Sequence, residues 1–251
     1  MYQDIIVNVD QGIATLTINR PDVLNAIRIQ TYHDIIAALK DADQDSNVKV
    51  IIMTGAAGRF CAGNDLSDLL PGSDIALLRQ CVIDIFDTLA GLEKPLILAQ
   101  EGVAIGIAAN MLLHADLAYA GNSIRYSLPF GKIGVASEGA CSVLLSEAIG
   151  PKHAMDLLLT GRFFTAQEAE QWGLINKAVD DGTALEHALA AAKKIIENHQ
   201  GSIRAIKQLS KAEGHHARVN KAVEAELALF CDLLETPETH ARIQHVLKGG
   251  K

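Results

Sequence analysis

Three short apolar segments, separated by helical patterns, constrain the fold of this chain more than any other feature. The segments cover residues 48–53, 95–99 and 116–120, and each has the length and composition of a buried strand. Apolar residues at helical spacing over 31–42, and again from about 73 to 89, predict helices between them. Strands that alternate with helices in this way predict an α/β core.

The two ends of the chain differ from this central pattern. Residues 4–9 and 13–18 alternate apolar and polar side chains around a turn, which predicts an antiparallel hairpin. From Thr183 onward the strand signals disappear and apolar residues fall at helical spacing. We therefore divide the chain into a core domain, residues 1–195, and a C-terminal helical region, residues 196–251. Such a region packs either on its own core or on a neighbouring subunit.

Composition and charge narrow the classes of partner. The net charge is −8 and only 4% of residues are aromatic, which argues against binding to nucleic acid or to a membrane surface. The four cysteines are scattered and have no metal-binding spacing, so they are interpreted as reduced thiols. The sequence shows neither a secretory signal nor an apolar run of transmembrane length. These features predict a cytoplasmic protein without a metal.

Two glycine-rich loops are candidates for a binding site. The first covers residues 58–66, and the second covers residues 101–110, where small residues 105–110 should turn directly into a helix. Small residues allow a ligand to approach main-chain amides, and the free N–H groups at a helix N-terminus stabilise a negatively charged oxygen. Two amides from two such loops would form an oxyanion hole. The simpler alternative for the first loop is an ordinary glycine-rich turn.

Glu138 is the candidate acid or base. It is the first acidic residue after Asp116 and lies between Ser137 and Gly139 in an apolar, glycine-rich stretch. A carboxylate with few charges around it should be desolvated, which raises its pKa and makes it suitable for proton transfer. The alternative is that Glu138 only begins the next helix, where an acidic residue complements the helix dipole.

Taken together in their order and spacing, the motifs resemble those of the enoyl-CoA hydratase/isomerase (crotonase) superfamily. They cover nearly the whole chain. The matching segments are Asn19-Arg20-Pro21, Leu24-Asn25-Ala26, residues 60–66, residues 102–106, Gly161-Arg162 and residues 165–175.

The resemblance implies a fold, a substrate class and an assembly. The expected fold is a spiral of ββα units, followed by a C-terminal helical region that builds trimers, often paired into hexamers. The expected substrates are acyl-CoA thioesters, with no metal or redox cofactor. By position, the oxyanion-hole amides would belong to Ala62 and Ile107.

The resemblance also implies a binding surface for each part of the substrate. The CoA moiety would lie along Leu24, Ala26 and the strip formed by residues 61–64. The acyl pocket would include Leu66, Leu69 and Leu70. The complete set of expected substrate-binding residues is Leu24, Ala26, Cys61, Gly63, Asn64, Asp65, Leu66, Leu69, Leu70, Gly106, Asn110 and Phe130.

Two substitutions bear on the reaction. Hydratases of this family carry glutamates at the positions of Asn110 and Phe130, and here neither side chain can titrate. The segment around Glu138 is similar instead to peroxisomal-type Δ3,Δ2-enoyl-CoA isomerases, in which a glutamate at this position is the base. We therefore expect an enoyl-CoA isomerase of fatty-acid β-oxidation.

Two alternatives remain open. The chain could be another acyl-CoA enzyme of the superfamily, such as a hydratase or a hydrolase, because a fold alone does not decide the reaction. It could also be a catalytically idle acyl-CoA-binding protein, for which Glu138 should be exposed and should face away from the oxyanion hole.

Overall fold

The computed structural model describes residues 2–249, in which nine strands form two sheets. The larger sheet has six strands in the order β1-β2-β3-β4-β6-β9, and the smaller one has the order β5-β7-β8. The strands are β1 Ile5–Asp10, β2 Ile13–Ile18, β3 Val50–Gly55, β4 Leu96–Gln100, β5 Val103–Ile105, β6 Leu117–Gly121, β7 Arg125–Ser127, β8 Phe163–Thr165 and β9 Lys177–Val179.

The helices connect the strands and then make up the whole C-terminal part that the structure describes. They are α1 Ile29–Gln44, α2 Ile75–Gly91, α3 Ile107–Asn110, α4 Phe130–Ile133, α5 Cys141–Ile149, α6 Pro151–Thr160, α7 Ala166–Gln171, α8 Ala184–Ile196, α9 Gln200–Ser210, α10 His215–Leu234 and α11 Pro237–Leu247. Short 3₁₀ turns occur at Pro21–Val23, Ala56–Gly58, Leu66–Leu69 and Met111–His114.

The larger sheet is covered on both faces, which explains why its central strands are continuously apolar. Successive side chains of a strand point to opposite faces. Val50 and Ile52 of β3 therefore pack with the alanines of α8, whereas Ile51 lies in the larger core on the side of α1 and α2. The β1–β2 pair is antiparallel, and the remaining pairs of this sheet are parallel.

The smaller sheet fixes the loops that follow the larger one. Its strand β5 pairs in parallel with β7, and β7 pairs antiparallel with β8. Ala104 of β5 also forms a parallel bridge with Cys61, beyond the end of β3. This bridge holds the two glycine-rich loops side by side.

The C-terminal helices pack on the core. Helix α10 lies along α2, and α11 contacts both α4 and the turn Leu66–Leu69. In α9, by contrast, Ile206 and Leu209 are strongly exposed. Among the helices of residues 2–249, none combines the length and the apolar character needed to cross a membrane.

Most sequence predictions of secondary structure are confirmed within two residues. The hairpin is present, and the predicted helices over 31–42 and 73–89 correspond to α1 and α2. The run 105–110 is only partly helical, because Ile105 still belongs to β5 and the helix begins at Ile107. The sequence analysis does not predict strands β5, β7, β8 and β9, since three-residue strands are too short to show an alternation.

The division at residue 195 stays a prediction. It falls at the penultimate residue of α8, and the second predicted unit ends with residues 250 and 251, which lie outside the described residues.

Candidate active site

A cavity of about 870 Å³ opens between the two glycine-rich loops and the C-terminal helices. Its wall combines main chain of the loops, one buried carboxyl group and side chains of α4 and α11. The lining residues are Ala62, Gly63, Asn64, Leu66, Leu69, Ile105, Gly106, Ile107, Pro129, Phe130, Lys132, Ile133, Glu138, Phe230, Glu238, Ala241, Arg242, His245 and Val246.

The two loops are bonded directly to each other. The Cys61 N–H donates to the Val103 carbonyl at 3.0 Å, and the Ile105 N–H donates to the Cys61 carbonyl at 3.2 Å. Gly63 has φ +93°, and a Cβ at this position would lie 2.8 Å from the Ile105 carbonyl oxygen. The close approach therefore requires glycine at position 63, and it fixes the distance between the loops.

The first loop offers a different main-chain donor from the one predicted. The Ala62 N–H donates to the Leu24 carbonyl at 3.0 Å, so the prediction that Ala62 supplies a free oxyanion donor is wrong. Two further main-chain groups of this loop bond to Ile27. The Gly63 carbonyl accepts a hydrogen bond from the Ile27 N–H, and the Asp65 N–H donates to the Ile27 carbonyl. Within residues 2–249, the Asn64 N–H has no hydrogen-bond acceptor. It is the available donor of this loop.

The second loop presents the N–H of Ile107. Gly106 adopts φ +55° and ψ −119°, which reverses the chain between β5 and α3 and makes Ile107 the first residue of the helix. The first N–H groups of a helix have no partner within it. The Ile107 N–H faces the Glu138 carboxylate.

Glu138 is buried in the wall of the cavity, with 1% of its surface exposed. Burial raises the pKa of its carboxyl group to about 7, and the nearby Glu226 carboxylate also raises it. Hydrogen bonds from the Asn64 side chain and the Ile107 N–H favour the charged form and limit this rise. The group is therefore able to accept or to donate a proton near neutral pH.

The Asn64 side chain connects Glu138 to a buried tyrosine. Its Nδ2 donates to the two carboxylate oxygens of Glu138 at 3.2 and 3.3 Å, and its Oδ1 accepts a hydrogen bond from the Tyr32 hydroxyl. A hydroxyl that donates to Oδ1 forces the amide NH₂ group toward Glu138. Tyr32 of α1 is fully buried in the hydrophobic core, so core packing holds the Asn64 amide in this orientation.

Comparison with known proteins identifies the family of the chain. Residues 8–248 match the family described as Enoyl-CoA hydratase/isomerase. The chain belongs to this family.

Two relatives in Escherichia coli (strain K12) carry different activities in their names. The 1,2-epoxyphenylacetyl-CoA isomerase is 32% identical over 214 residues, which are 83% of this chain and 82% of that protein. The 2,3-dehydroadipyl-CoA hydratase is 29% identical over 245 residues, which are 98% of this chain and 96% of that protein.

Solved structures of the family confirm the predicted crotonase-like fold with its helical C-terminal region. OdaA of Pseudomonas aeruginosa has a TM-score of 0.92 and 32% identity, over 98% of this chain and 99% of the other. An enoyl-CoA hydratase/isomerase from Pseudoalteromonas atlantica T6c has a TM-score of 0.90 and 28% identity, over 99% and 98%. The family therefore provides both the fold and the general acyl-CoA chemistry.

In this member of the enoyl-CoA hydratase/isomerase family, half of the predicted substrate-binding residues line the cavity. These are Gly63, Asn64, Leu66, Leu69, Gly106 and Phe130. Leu24 and Ala26 do not line this cavity. The Leu24 carbonyl accepts the hydrogen bond from the Ala62 N–H of the first loop. The expected contact of Leu24 and Ala26 with CoA stays a prediction.

The other four predicted binding residues have different surroundings. Leu70 does not line the large cavity but lines a smaller one together with Leu69, so its expected contact with the acyl chain stays a prediction. Cys61 is fully buried, and its sulfur lies 3.3 Å from the Gly63 nitrogen. Asp65, within the first loop, pairs with Arg20.

Asn110 is buried behind the cavity rather than in its wall. Its Nδ2 donates to the main-chain carbonyl of Glu138 at 2.7 Å, so it touches the segment that carries the acid. Asn110 therefore supports this segment, and its expected contact with substrate stays a prediction.

The sequence analysis missed Tyr32 and the residues of α11 in the wall. Tyr32 sits in an ordinary amphipathic helix, and nothing in its spacing distinguishes it from a core residue. Arg242, His245 and Val246 lie more than a hundred residues beyond the glycine-rich loops. Only the docking of α11 brings them to the cavity.

Proposed function

We propose that the protein is a Δ3,Δ2-enoyl-CoA isomerase, which converts a 3-enoyl-CoA into the trans-2-enoyl-CoA in fatty-acid β-oxidation. The observation that supports this proposal is one buried carboxyl group in the described cavity wall, that of Glu138, beside the Ile107 N–H. A double-bond shift needs one group that removes a proton and returns it, together with stabilisation of the intermediate oxygen.

The proposed reaction begins when the thioester oxygen accepts hydrogen bonds from the N–H groups of Asn64 and Ile107 and replaces the Glu138 carboxylate as the acceptor of the Ile107 N–H. The polarised carbonyl makes the C2 proton acidic, and the Glu138 carboxylate removes it. The electron pair of the C2–H bond forms a dienolate, whose oxygen the two N–H groups stabilise. The carboxylic acid of Glu138 then delivers the same proton to C4, and the double bond moves to C2–C3.

The environment of Glu138 suits a base that must also act as an acid. A catalytic pKa close to the working pH gives useful fractions of both protonation states. Burial raises the pKa of Glu138 to about 7. The Asn64 amide, oriented by Tyr32, holds the carboxylate in place for both proton transfers.

Hydration is the second candidate, because one of the relatives is named a hydratase. Hydration needs two groups that converge on one water, of which one accepts its proton and the other protonates the substrate. Within the described cavity wall, the acidic side chains are Glu138 and Glu238, and the Glu238 side chain is 74% exposed. Phe130 also lines the cavity at a position where hydratases of the family would carry one of their two glutamates.

The idle-binder alternative is weaker. It expects Glu138 to be exposed and turned away, whereas the carboxylate is buried and lies beside the Ile107 N–H.

The decisive experiment compares isomerisation of 3-hexenoyl-CoA with hydration of crotonyl-CoA in wild type and Glu138→Gln. We expect wild type to isomerise and to hydrate little, and the substitution to reduce isomerisation by roughly a hundredfold to ten-thousandfold. Glu238→Gln is the matched control, since it removes the exposed acid of the same cavity. Strong hydration, or isomerisation that survives Glu138→Gln, would overturn the proposal.

We also propose that the protein is cytoplasmic and acts as a trimer or a dimer of trimers. The exposed apolar side chains of the C-terminal helices support self-association, among them Leu209 at 83% and Leu229 at 61% exposure. Light scattering after size exclusion measures the mass directly, and a monomer at micromolar concentration would contradict this proposal.

A further inference from the structure

The loop formed by residues 138–142 is held through its main chain. On one side, Asn110 Nδ2 donates to the Glu138 carbonyl at 2.7 Å, and His114 Nε2 donates to the Gly139 carbonyl at 2.9 Å. Burial lowers the pKa of His114 to about 4, so its ring is neutral and the proton lies on Nε2. These contacts come from the last residue of α3 and from the 3₁₀ turn that follows it.

On the other side, a carboxylate of the C-terminal helix α10 holds the same loop. Glu226 accepts hydrogen bonds from the Ala140 N–H at 2.8 Å and from the Ser142 N–H at 2.7 Å. Its side chain lies in the interior, with 5% of the residue exposed. A buried carboxylate with two main-chain donors is costly to remove, because both donors would then be left without a partner.

The backbone of this loop does not hold its shape by itself. Ala140 adopts φ +59°, in the left-handed region that an ordinary side chain disfavours. Gly139 has φ +75°, and a Cβ there would lie 2.4 Å from the Phe86 ring. The direction in which Glu138 enters the cavity therefore depends on contacts made by the residues that follow it.

We propose that Glu226 is a positioning residue that fixes the loop carrying Glu138 and places a negative charge behind the catalytic carboxyl group. This inference rests on the proposed isomerase function for its effect on turnover. It makes the C-terminal helix α10 part of the catalytic apparatus.

The charges around Glu138 support the second half of the proposal. The titratable groups facing it from other elements include Tyr32 on α1, Cys61 on the first loop and Cys141 on α5. Burial raises the pKa of all three groups, so they stay neutral near pH 7. Burial also raises the pKa of Glu226, but the hydrogen bonds from Ser142 and Ala140 favour its charged form and limit this rise. In that charged form, Glu226 raises the pKa of Glu138.

The test compares Glu226→Gln with Glu226→Asp. The control is Glu224→Gln, which removes the same charge from an exposed position of the same helix. The pKa of Glu138 is measured by carbon NMR titration of protein labelled at the glutamate carboxyl groups, with Glu138→Gln used to assign its signal. The rate of 3-hexenoyl-CoA isomerisation is measured against pH in parallel.

We expect Glu226→Gln to lower the pKa of Glu138 by roughly half a unit to one unit, because one buried charge is lost. The acid limb of the kcat/KM profile should move by the same amount. Glu226→Asp keeps the charge but shortens the reach, so kcat should fall about tenfold with KM and the Glu138 pKa little changed. Glu224→Gln should alter none of these quantities.

An unchanged Glu138 pKa in Glu226→Gln would overturn the electrostatic half of the proposal, and an unchanged kcat in Glu226→Asp would overturn the positioning half. If Glu226→Gln fails to fold, Glu226→Asp still decides whether the side chain positions the loop. The NMR titration needs no turnover, so it separates a wrong role for Glu226 from a wrong reaction.

Discussion

The two walls of the cavity are built on different principles. The loop wall, formed by residues 62–64 and 106–107 together with Glu138, presents main-chain groups and one buried acid. The helix wall, formed by residues 129–133 and 238–246, presents apolar and charged side chains. Glu238 of the helix wall pairs with Arg242 of its own helix at 2.7 Å, and both groups are well exposed.

This difference separates chemistry from substrate fit. Main-chain donors in loops that are hydrogen-bonded to each other are held in place, and a charge that develops next to them needs little rearrangement of the protein. Side chains on a surface helix change rotamer easily and contribute little electrostatic stabilisation in water. We therefore expect substitutions in the loop wall to change kcat, and substitutions in the helix wall to change substrate preference.

The largest effect is expected from a methyl group added between the two loops. Gly63→Ala would place a Cβ against the Ile105 carbonyl and would separate the Asn64 and Ile107 N–H groups. We expect kcat for 3-hexenoyl-CoA to fall by about a hundredfold or more, as for the loss of one oxyanion donor. Gly131→Ala is the control in the helix wall, where a Cβ meets nothing within 4 Å, and its kcat should stay within about twofold. Equal effects of the two substitutions would erase the distinction between the walls.

The buried acid should also make stability depend on pH. Because the folded-state pKa of Glu138 is raised to about 7, the folded protein retains a proton that the unfolded chain has already lost. Wild type should lose on the order of 3 kcal/mol of unfolding free energy relative to Glu138→Gln as pH rises from about 4 to above 7. Urea titrations at several pH values measure this difference. Glu238→Gln should keep the wild-type dependence, and a parallel pair of curves for wild type and Glu138→Gln would contradict the burial argument.

A smaller effect is expected from the hydroxyl that orients Asn64. Tyr32→Phe removes the hydrogen bond to Asn64 Oδ1, so the amide is free to turn its oxygen toward Glu138. We expect kcat to fall about fivefold to tenfold, which corresponds to about 1 kcal/mol. Tyr126→Phe is a matched control, since it deletes a buried hydroxyl bonded to Gln100 that lies outside the cavity wall. Both variants should lose similar stability, and only Tyr32→Phe should lose activity.

The smallest effect is expected in the helix wall. Val246→Ala removes apolar surface from a residue that is already 39% exposed. We expect KM to rise about threefold for the acyl-CoA that contacts it, with kcat unchanged, because about 0.7 kcal/mol of apolar contact is lost. Kinetics with acyl chains of increasing length will show which chains reach this residue. A loss in kcat at every length would place α11 in the catalytic step.

The loop wall was largely predictable from local sequence. Gly63 marks a place where main chain approaches main chain, Gly106 marks a chain reversal at positive φ, and Glu138 is an acid in an apolar stretch. The choice of donor was not predictable in this way. Whether Ala62 or Asn64 keeps a free N–H depends on the Leu24 carbonyl, which reaches the loop from a distant turn.

The helix wall shows the opposite behaviour. The periodicity after Thr183 predicted helices but not what they face, because an amphipathic stripe has the same appearance against a sheet, a neighbouring subunit or a cavity. Leu66, Leu69 and Leu70 show the same limit within a single turn. Leu66 lines the large cavity, Leu70 lines the smaller one, and Leu69 lines both, an arrangement that depends on the docking of α10 and α11.

The sequence by itself determined the α/β class, the family, the two loops and the acid, since each depends on residue types at fixed local spacing. Only the tertiary structure decided which N–H groups are free, how Tyr32 orients Asn64, and that Glu226 holds the loop behind Glu138. Hydrogen bonds between residues far apart in the chain are set by the packing of whole elements. No local pattern records them.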